Sequence, residues 1–165
     1  MEALKKIDIE ELLKRQETLD EKFDEKDTLR KRTVDRIMIA YYTELGELFQ
    51  ELKSEWNYWK NSTRKIDRRR VLEELSDTLH FYLSYLNNTR YLKIGKVEAH
   101  KFKSSLKDFE EAFYLLSSVN IRSINHILGA MLYVAEYVGA TEKEFLQIHH
   151  EVWLRNTEER TKGEY

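Results

Sequence analysis

The chain contains no proline and only five glycines among its 165 residues. Proteins built from extended sheets need many turns, and turns draw heavily on both residue types. Their scarcity therefore favours a small number of long helices with short polar connections. Apolar residues make up 41% of the chain, which is enough for the core of a helical bundle.

Length and composition limit the class of protein further. The length predicts one domain over residues 1–165. The net charge is −2 and the pI is about 6.2, so we expect neither nucleic acid nor a membrane surface as a partner. Disulfides and thiolate metal sites are excluded because cysteine is absent. The sequence shows no membrane-span run of roughly 20 apolar residues and no signal-peptide core, so a cytoplasmic protein is expected.

Apolar residues recur at helical spacing along most of the chain. The first helix is expected to begin after Asp8, a residue type favoured at helix N-caps. The other helices are predicted at about 28–60, 67–93, 97–116, from a cap at Ser118 or Asn120 to near Gly139, and 142–160. Thr141 and Glu144 form a capping-box pattern before the last of them. The predicted fold is an all-α bundle of about five or six helices.

Two acidic pairs fall on the second and third of these helices. Glu44 precedes Glu47, and Glu74 precedes Asp77, at a spacing that puts both members of each pair on one helix face. If the two helices pack antiparallel, all four carboxylates can converge. Such a cluster repels itself and stays charged only with a bound cation. Hard oxygen ligands suit Mg²⁺ or Mn²⁺, and a site of this kind usually holds phosphate.

The spacing alone is weak evidence, because the chain has 30 Asp and Glu residues. Further pairs have this spacing, and we interpret most of them as solvated helix faces. They are Asp8/Glu11, Glu17/Asp20, Glu21/Asp24, Asp24/Asp27 and Asp108/Glu111. The two chosen pairs differ because they border apolar stripes, where a carboxylate is partly desolvated and needs a partner. The sequence leaves open whether that partner is a metal ion or a Lys or Arg side chain.

Residues near the pairs also have two interpretations. Gly46 permits the close approach of a ligand, or simply tight helix packing. Trp59 and Lys60 could form a base-stacking wall with a phosphate contact, or an aromatic core edge with a surface lysine. The basic run 64–70 would help to neutralise a triphosphate or pair with nearby acids. His80 is either close to the acids or a satisfied core histidine. Because no nucleophile motif is present, hydrolysis would need metal-activated water.

The segments that carry the acidic pairs resemble a known superfamily. They read ELGELFQELKSEWNYWK and VLEELSDTLHFYLSYL, and they are similar to the ExxE and ExxD signature of the all-α nucleoside triphosphate pyrophosphatases, which include MazG and the dimeric dUTPases. The first helix, LLKRQETLDEKF, and the LHF at 79–81 resemble the dimeric dUTPase-like branch of bacteria and phages.

A weaker resemblance to this branch returns at the C-terminus, through Arg155, Asn156, Arg160 and Tyr165. Three features depart from the branch pattern. Arg155 stands where lysine is usual, the spacing from Asn156 to Arg160 is shorter, and WNYW replaces an FKFW-like segment. These positions bear on base and phosphate recognition.

The resemblance implies hydrolysis of a deoxynucleoside triphosphate, with dUTP as the first candidate, to the monophosphate and pyrophosphate. It implies a homodimer and a Mg²⁺ or Mn²⁺ ion held by the catalytic acids Glu44, Glu47, Glu74 and Asp77. The candidates for the base side are Gln16 and Trp59, and those for the phosphates are Lys60, Arg155, Asn156 and Arg160. The alternatives are MazG-like hydrolysis of another nucleoside triphosphate and a non-catalytic helical interaction module.

Overall fold

Eight α-helices make up most of the residues that the computed structural model describes, which are 7–26, 28–61, 64–89 and 96–162. They are α1 (Ile9–Asp24), α2 (Val34–Glu51), α3 (Lys53–Trp56), α4 (Arg68–Thr89), α5 (Ala99–Lys103), α6 (Phe109–Leu116), α7 (Ile124–Tyr137) and α8 (Glu142–Arg155). A π-helical turn (Asn156–Arg160) continues α8, and β1 (Ile7–Asp8) pairs antiparallel with β2 (Lys96–Val97). The all-α prediction is confirmed, although the helices are shorter and more numerous than predicted.

The central helix is α4, which packs against α1, α2 and α8. α2 and α4 run antiparallel, as the acidic pairs required: Glu51 pairs with Arg70 at one end, and the rings of Tyr41 and Tyr82 lie 6.3 Å apart toward the other. α5 and α6 pack against α7, which also contacts α4 and α8. One buried apolar cluster includes side chains from every long helix. None of the described helices combines the length and the apolar character that a bilayer span would need.

Side-chain caps decide where several helices begin. Asp8 and Thr141 each accept a hydrogen bond from the backbone N–H three residues later, as predicted. Thr33 does the same at the start of α2, which therefore begins later than residue 28. The predicted helix also divides at Leu52, where the backbone leaves helical geometry (φ −102°, ψ 14°) between α2 and α3.

The predicted helix over 97–116 is interrupted between α5 and α6 by a capping box. Asp108 Oδ1 accepts a hydrogen bond from the backbone N–H of Glu111 at 2.9 Å, and Glu111 Oε2 accepts one from the N–H of Lys107 at 2.8 Å. These reciprocal bonds start a new helix at Phe109. Asp108 and Glu111 are therefore not the solvated helix face that their spacing alone indicated.

The start of α7 corrects another prediction. Turns occupy residues 117–121, and the N-cap is Ser123, so the predicted caps at Ser118 and Asn120 are wrong. The predicted helix end near Gly139 is confirmed. Gly139 has a φ of +83°, a left-handed conformation that glycine adopts without the steric strain of a Cβ.

Candidate active site

Three carboxylates meet between α2 and α4. Glu44 comes from α2, whereas Glu74 and Asp77 come from α4, and each offers an oxygen within 4.8 Å of the other two. The convergence follows from the antiparallel packing of α2 and α4. In this packing, the turn of α2 that contains Glu44 lies opposite the turn of α4 that contains Glu74 and Asp77.

The fourth predicted ligand, Glu47, lies at the edge of this cluster. Its side chain is exposed, whereas the three converging acids are half-buried. It does not belong to the set of oxygens within 4.8 Å of one another. Its negative charge nevertheless raises the pKa of Glu44, Glu74 and Asp77. The structure therefore brings three of the four predicted acids together, and Glu47 reaches this cluster through a side-chain hydrogen bond with Glu44 and through its charge.

The three converging acids resist ionisation. Burial, followed by the charge of Asp77, raises the pKa of Glu44 to about 8. The same two causes raise the pKa of Glu74 to about 7. Burial raises the pKa of Asp77 to about 6, although the positive charges of Arg160 and Arg155 act in the opposite direction. Near neutral pH the cluster therefore retains protons that a divalent cation would displace.

The donor set fits a hard divalent cation. Glu74 Oε2 is buried and has no hydrogen-bond partner among the described residues. The neighbouring Glu73 and Glu51 form ion pairs with Arg69 and Arg70, whereas Arg160 and Arg155 act on Asp77 through their positive charge. Three carboxylates, one of them with an unpartnered buried oxygen, are the ligands that Mg²⁺ and Mn²⁺ prefer.

The basic run between the acidic pairs is used in ion pairs. Arginines 68–70 all pair with acids, which confirms that interpretation for this part of the run. The pairs are Arg68–Glu144, Arg69–Glu73, Arg69–Glu151 and Arg70–Glu51. These contacts tie the start of α4 to α2 and α8.

A cavity of about 410 Å³ opens beside Glu44 and Asp77 and extends to α1. Its wall combines apolar, polar and cationic side chains, as small-molecule sites commonly do. The apolar residues are Leu19, Phe23, Ile37 and Phe81, the polar or acidic ones are Gln16, Asp20, His80, Ser84 and Asn156, and the cationic ones are Arg32, Arg36 and Arg160. A cavity with carboxylates and cations at its wall suits a phosphorylated ligand bound with a metal ion.

Three of the predicted substrate residues line this cavity: Gln16, Asn156 and Arg160. Gln16 comes from α1, and the other two come from the π-helical turn, a local geometry that is frequent at functional sites. Arg155 is half-buried. It lies close enough to Asp77 for its positive charge to lower the pKa of that carboxyl group. Its Nε is buried and has no hydrogen-bond partner within the described ranges.

Trp59 and Lys60 do not belong to the cavity wall formed by the described residues of this chain. Both side chains are exposed, and Trp59 packs edge-on against Tyr58, with ring centroids 5.2 Å apart. Their contact with a nucleotide stays a prediction. Tyr165 lies outside the described residues.

Two cationic residues of the wall, Arg32 and Arg36, were missed by the sequence analysis. They lie just before and within the first turn of α2, and Arg32 pairs with Asp24 at 2.6 Å. No motif marks them. The available signal was the concentration of basic residues over 30–36, immediately before the helix that carries Glu44.

A family model described as dUTPase matches residues 8–165. No curated protein matches the chain significantly. The family match includes both acidic pairs and every wall residue of the cavity. The chain therefore belongs to the all-α dUTPase family.

Proposed function

We propose that this protein is a Mg²⁺-dependent pyrophosphatase for deoxynucleoside triphosphates, with dUTP as its substrate and Mn²⁺ as an alternative ion. The observation that carries the proposal is the convergence of Glu44, Glu74 and Asp77, with the unpartnered Glu74 Oε2, beside a cavity that also contains arginines. Membership of the dUTPase family supports a nucleotide as the ligand.

The converging acids Glu44, Glu74 and Asp77 would hold the ion, with Glu47 at the edge of the site. When bound, Mg²⁺ polarises phosphoryl oxygens, lowers the pKa of water and neutralises the leaving pyrophosphate. In the net reaction, water adds to phosphorus and the bond between the α- and β-phosphates breaks. The products are dUMP and pyrophosphate.

The phosphate side of the cavity would be formed by cations from two parts of the chain. Arg32 and Arg36 approach from the start of α2, and Arg160 approaches from the π-helical turn. Guanidinium groups bind phosphate oxygens through charge-assisted hydrogen bonds, often two at a time. Arg155 and Asn156 lie at the junction of α8 with this turn and would complete the phosphate contacts.

The base side would be formed by α1 and α4. Phe23 and Phe81 supply aromatic surface in the wall, on which a planar base can stack. Gln16 supplies a buried amide at the same side of the cavity.

We also propose a homodimer. Exposed apolar side chains lie on α2 and the neighbouring α6, among them Ile39 at 67% and Tyr114 at 60% exposure. Gly46 lies on α2, where an added Cβ would meet no atom within 4 Å among the described residues of its own chain. Glycine in a helix interior is about 1 kcal/mol less favourable than alanine. The close approach of a second chain would explain a glycine at this exposed position.

Pyrophosphate release from dUTP in the presence of Mg²⁺ tests the enzymatic proposal. Glu74→Gln and Asp77→Asn should abolish release while the far-ultraviolet circular dichroism stays that of the wild type. Glu73→Gln is the matched control, because Glu73 neighbours Glu74 on α4 but pairs with Arg69. Release at the wild-type rate by Glu74→Gln would contradict the site. Faster hydrolysis of dCTP or dATP by the wild type would contradict dUTP as the substrate.

A further inference from the structure

A chain of hydrogen bonds links four buried polar side chains where α1 meets α4 at the cavity wall. Ser84 Oγ donates to Asp20 Oδ2 at 2.7 Å, and Gln16 Nε2 donates to Asp20 Oδ1 at 2.9 Å. Gln16 Oε1 lies 2.8 Å from His80 Nδ1. None of the four is more than 8% exposed, so water competes little for these bonds. We call this chain the Asp20 relay.

Asp20 determines the direction of each bond in the relay. Asp20 also pairs with Arg32 at 3.6 Å, and a carboxylate held in an ion pair can only accept, so the Ser84 hydroxyl and the Gln16 amide nitrogen both donate to it. The amide oxygen of Gln16 must then face His80. An amide oxygen also can only accept, so His80 carries a proton on Nδ1.

His80 carries no second proton. The pKa of His80 lies well below its ordinary value. Burial is the main cause, followed by the nearby His149, Arg155 and Arg160. The neutral ring stacks on His149 with centroids 4.1 Å apart. Its Nε2 therefore has a lone pair, and this atom is buried without a hydrogen-bond partner in the described part of the chain. An unpartnered buried acceptor in a residue of the cavity wall indicates a donor supplied by a ligand.

We propose that Asp20 is a positioning residue that fixes the amide of Gln16 and the Nδ1–H tautomer of His80, so that His80 Nε2 accepts a hydrogen bond from the substrate base. The part that concerns the base rests on the proposed function. The only N–H group of the uracil base in dUTP is at N3, and cytosine has a lone pair at that position. An acceptor opposite N3 attracts the N3–H of uracil and repels the N3 lone pair of cytosine, so the relay favours uracil.

The tautomer of His80 can be measured without any substrate. Long-range ¹H–¹⁵N correlation spectra of the ¹⁵N-labelled full chain distinguish the two neutral tautomers, and His80→Gln identifies the signal by its loss. The wild type should show the Nδ1–H form. In Asp20→Asn the new amide can both donate and accept, so Gln16 is free to turn over and a substantial Nε2–H population should appear.

Asp24→Asn is the matched control for this measurement. Asp24 lies one turn further along α1 and pairs with Arg32, which also pairs with Asp20, but Asp24 forms no hydrogen bond with a member of the relay. Its removal should leave the His80 tautomer unchanged. An Nε2–H tautomer in the wild type overturns the proposal, as does an unchanged tautomer in Asp20→Asn. If Asp20→Asn does not fold, Ser84→Ala gives a second test: it leaves the Asp20 carboxylate and its bond from Gln16 Nε2 in place, so the Nδ1–H tautomer should persist, and an Nε2–H tautomer in this variant overturns the proposal.

Substrate selectivity tests the contact with the base. The ratio of kcat/KM for dUTP to kcat/KM for dCTP should fall roughly tenfold or more in Asp20→Asn, mainly through KM, because a mismatched buried hydrogen bond is costly. Asp24→Asn should keep the wild-type ratio. An unchanged ratio in Asp20→Asn overturns the base contact. If the wild type hydrolyses neither nucleotide, the proposed function and the base contact both fail, and the tautomer measurement still decides the relay.

Discussion

Glu44 on α2 and Asp77 on α4 offer carboxylate oxygens within 4.8 Å of each other, and the charge of Asp77 is the second cause, after burial, of the raised pKa of Glu44. Helix packing thus holds two like charges together in a half-buried setting. Protons or a divalent cation relieve this repulsion. Folding stability, pH and metal binding are therefore linked through the same few atoms.

The stability of the metal-free protein should depend on Glu44. Its pKa rises from an ordinary value of 4.5 to about 8 on folding, so the folded state binds this proton more tightly than the unfolded chain. The resulting stabilisation is fully present below 4.5 and is lost as the pH rises to about 8. Thermal unfolding across this range should show a steeper loss of stability in the wild type than in Glu44→Gln, which does not titrate. Equal slopes would contradict the prediction.

Divalent cations should reverse that loss. Mg²⁺ binds the ionised cluster and not the unfolded chain, so it should raise the unfolding temperature of the wild type, and less so at lower pH, where protons compete. Glu74→Gln should lose the Mg²⁺-dependent shift, because it removes a ligand whose Oε2 has no protein partner within the described ranges. Glu73→Gln should keep the shift. If Mg²⁺ raised the unfolding temperature of Glu74→Gln as much as that of Glu73→Gln, the ion would have to bind at another site.

The sequence could predict the convergence of Glu44 with Glu74 and Asp77, because both of its requirements are local. The spacing of three residues fixes which side chains share a helix face, and the adjacent apolar stripe fixes which face turns inward. The position of Glu47 could not be predicted in this way. It depends on how far α2 is rotated against α4, which tertiary packing decides.

The remaining wall residues depend on contacts between distant segments. Asp20 sits in α1 at an ordinary helical spacing, and only the packing of α1 against α4 buries it beside Ser84 and gives it a role. Helix ends were missed for a related reason. Asp108 and Glu111 have the same spacing as a solvated pair, and their function as a capping box appears only from the backbone N–H groups that they bind.

The Asp108 cap should contribute measurably to stability. Asp108→Ala removes the acceptor for the backbone N–H of Glu111 in the first turn of α6 and should lower the free energy of unfolding by about 1 kcal/mol. Chemical denaturation followed by circular dichroism measures the change. Glu110→Ala is a suitable control, because Glu110 is exposed in the same turn without capping it. A loss in Glu110→Ala as large as that in Asp108→Ala would argue against a specific cap.

Arg36 should act on substrate binding. Its side chain lines the cavity and is exposed, so Arg36→Gln should change the unfolding temperature little. The loss of a charge-assisted hydrogen bond to phosphate should raise the KM for dUTP roughly tenfold or more. Steady-state kinetics measures the KM of both Arg36→Gln and the control Arg30→Gln. The control shows how much the loss of one positive charge changes KM without the loss of the Arg36 contact with phosphate. An unchanged KM in Arg36→Gln would remove Arg36 from the phosphate side.

Association should depend on the apolar face of α2. Ile39 is 67% exposed on that face, and a charge buried there without a partner would oppose the packing of a second chain. Ile39→Asp should therefore shift sedimentation equilibrium from dimer toward monomer. Leu29→Asp is the control, because Leu29 is 96% exposed but precedes α2, and it should remain dimeric. A wild type that is monomeric at all concentrations, or equal dissociation of both variants, would show that this face is not the interface.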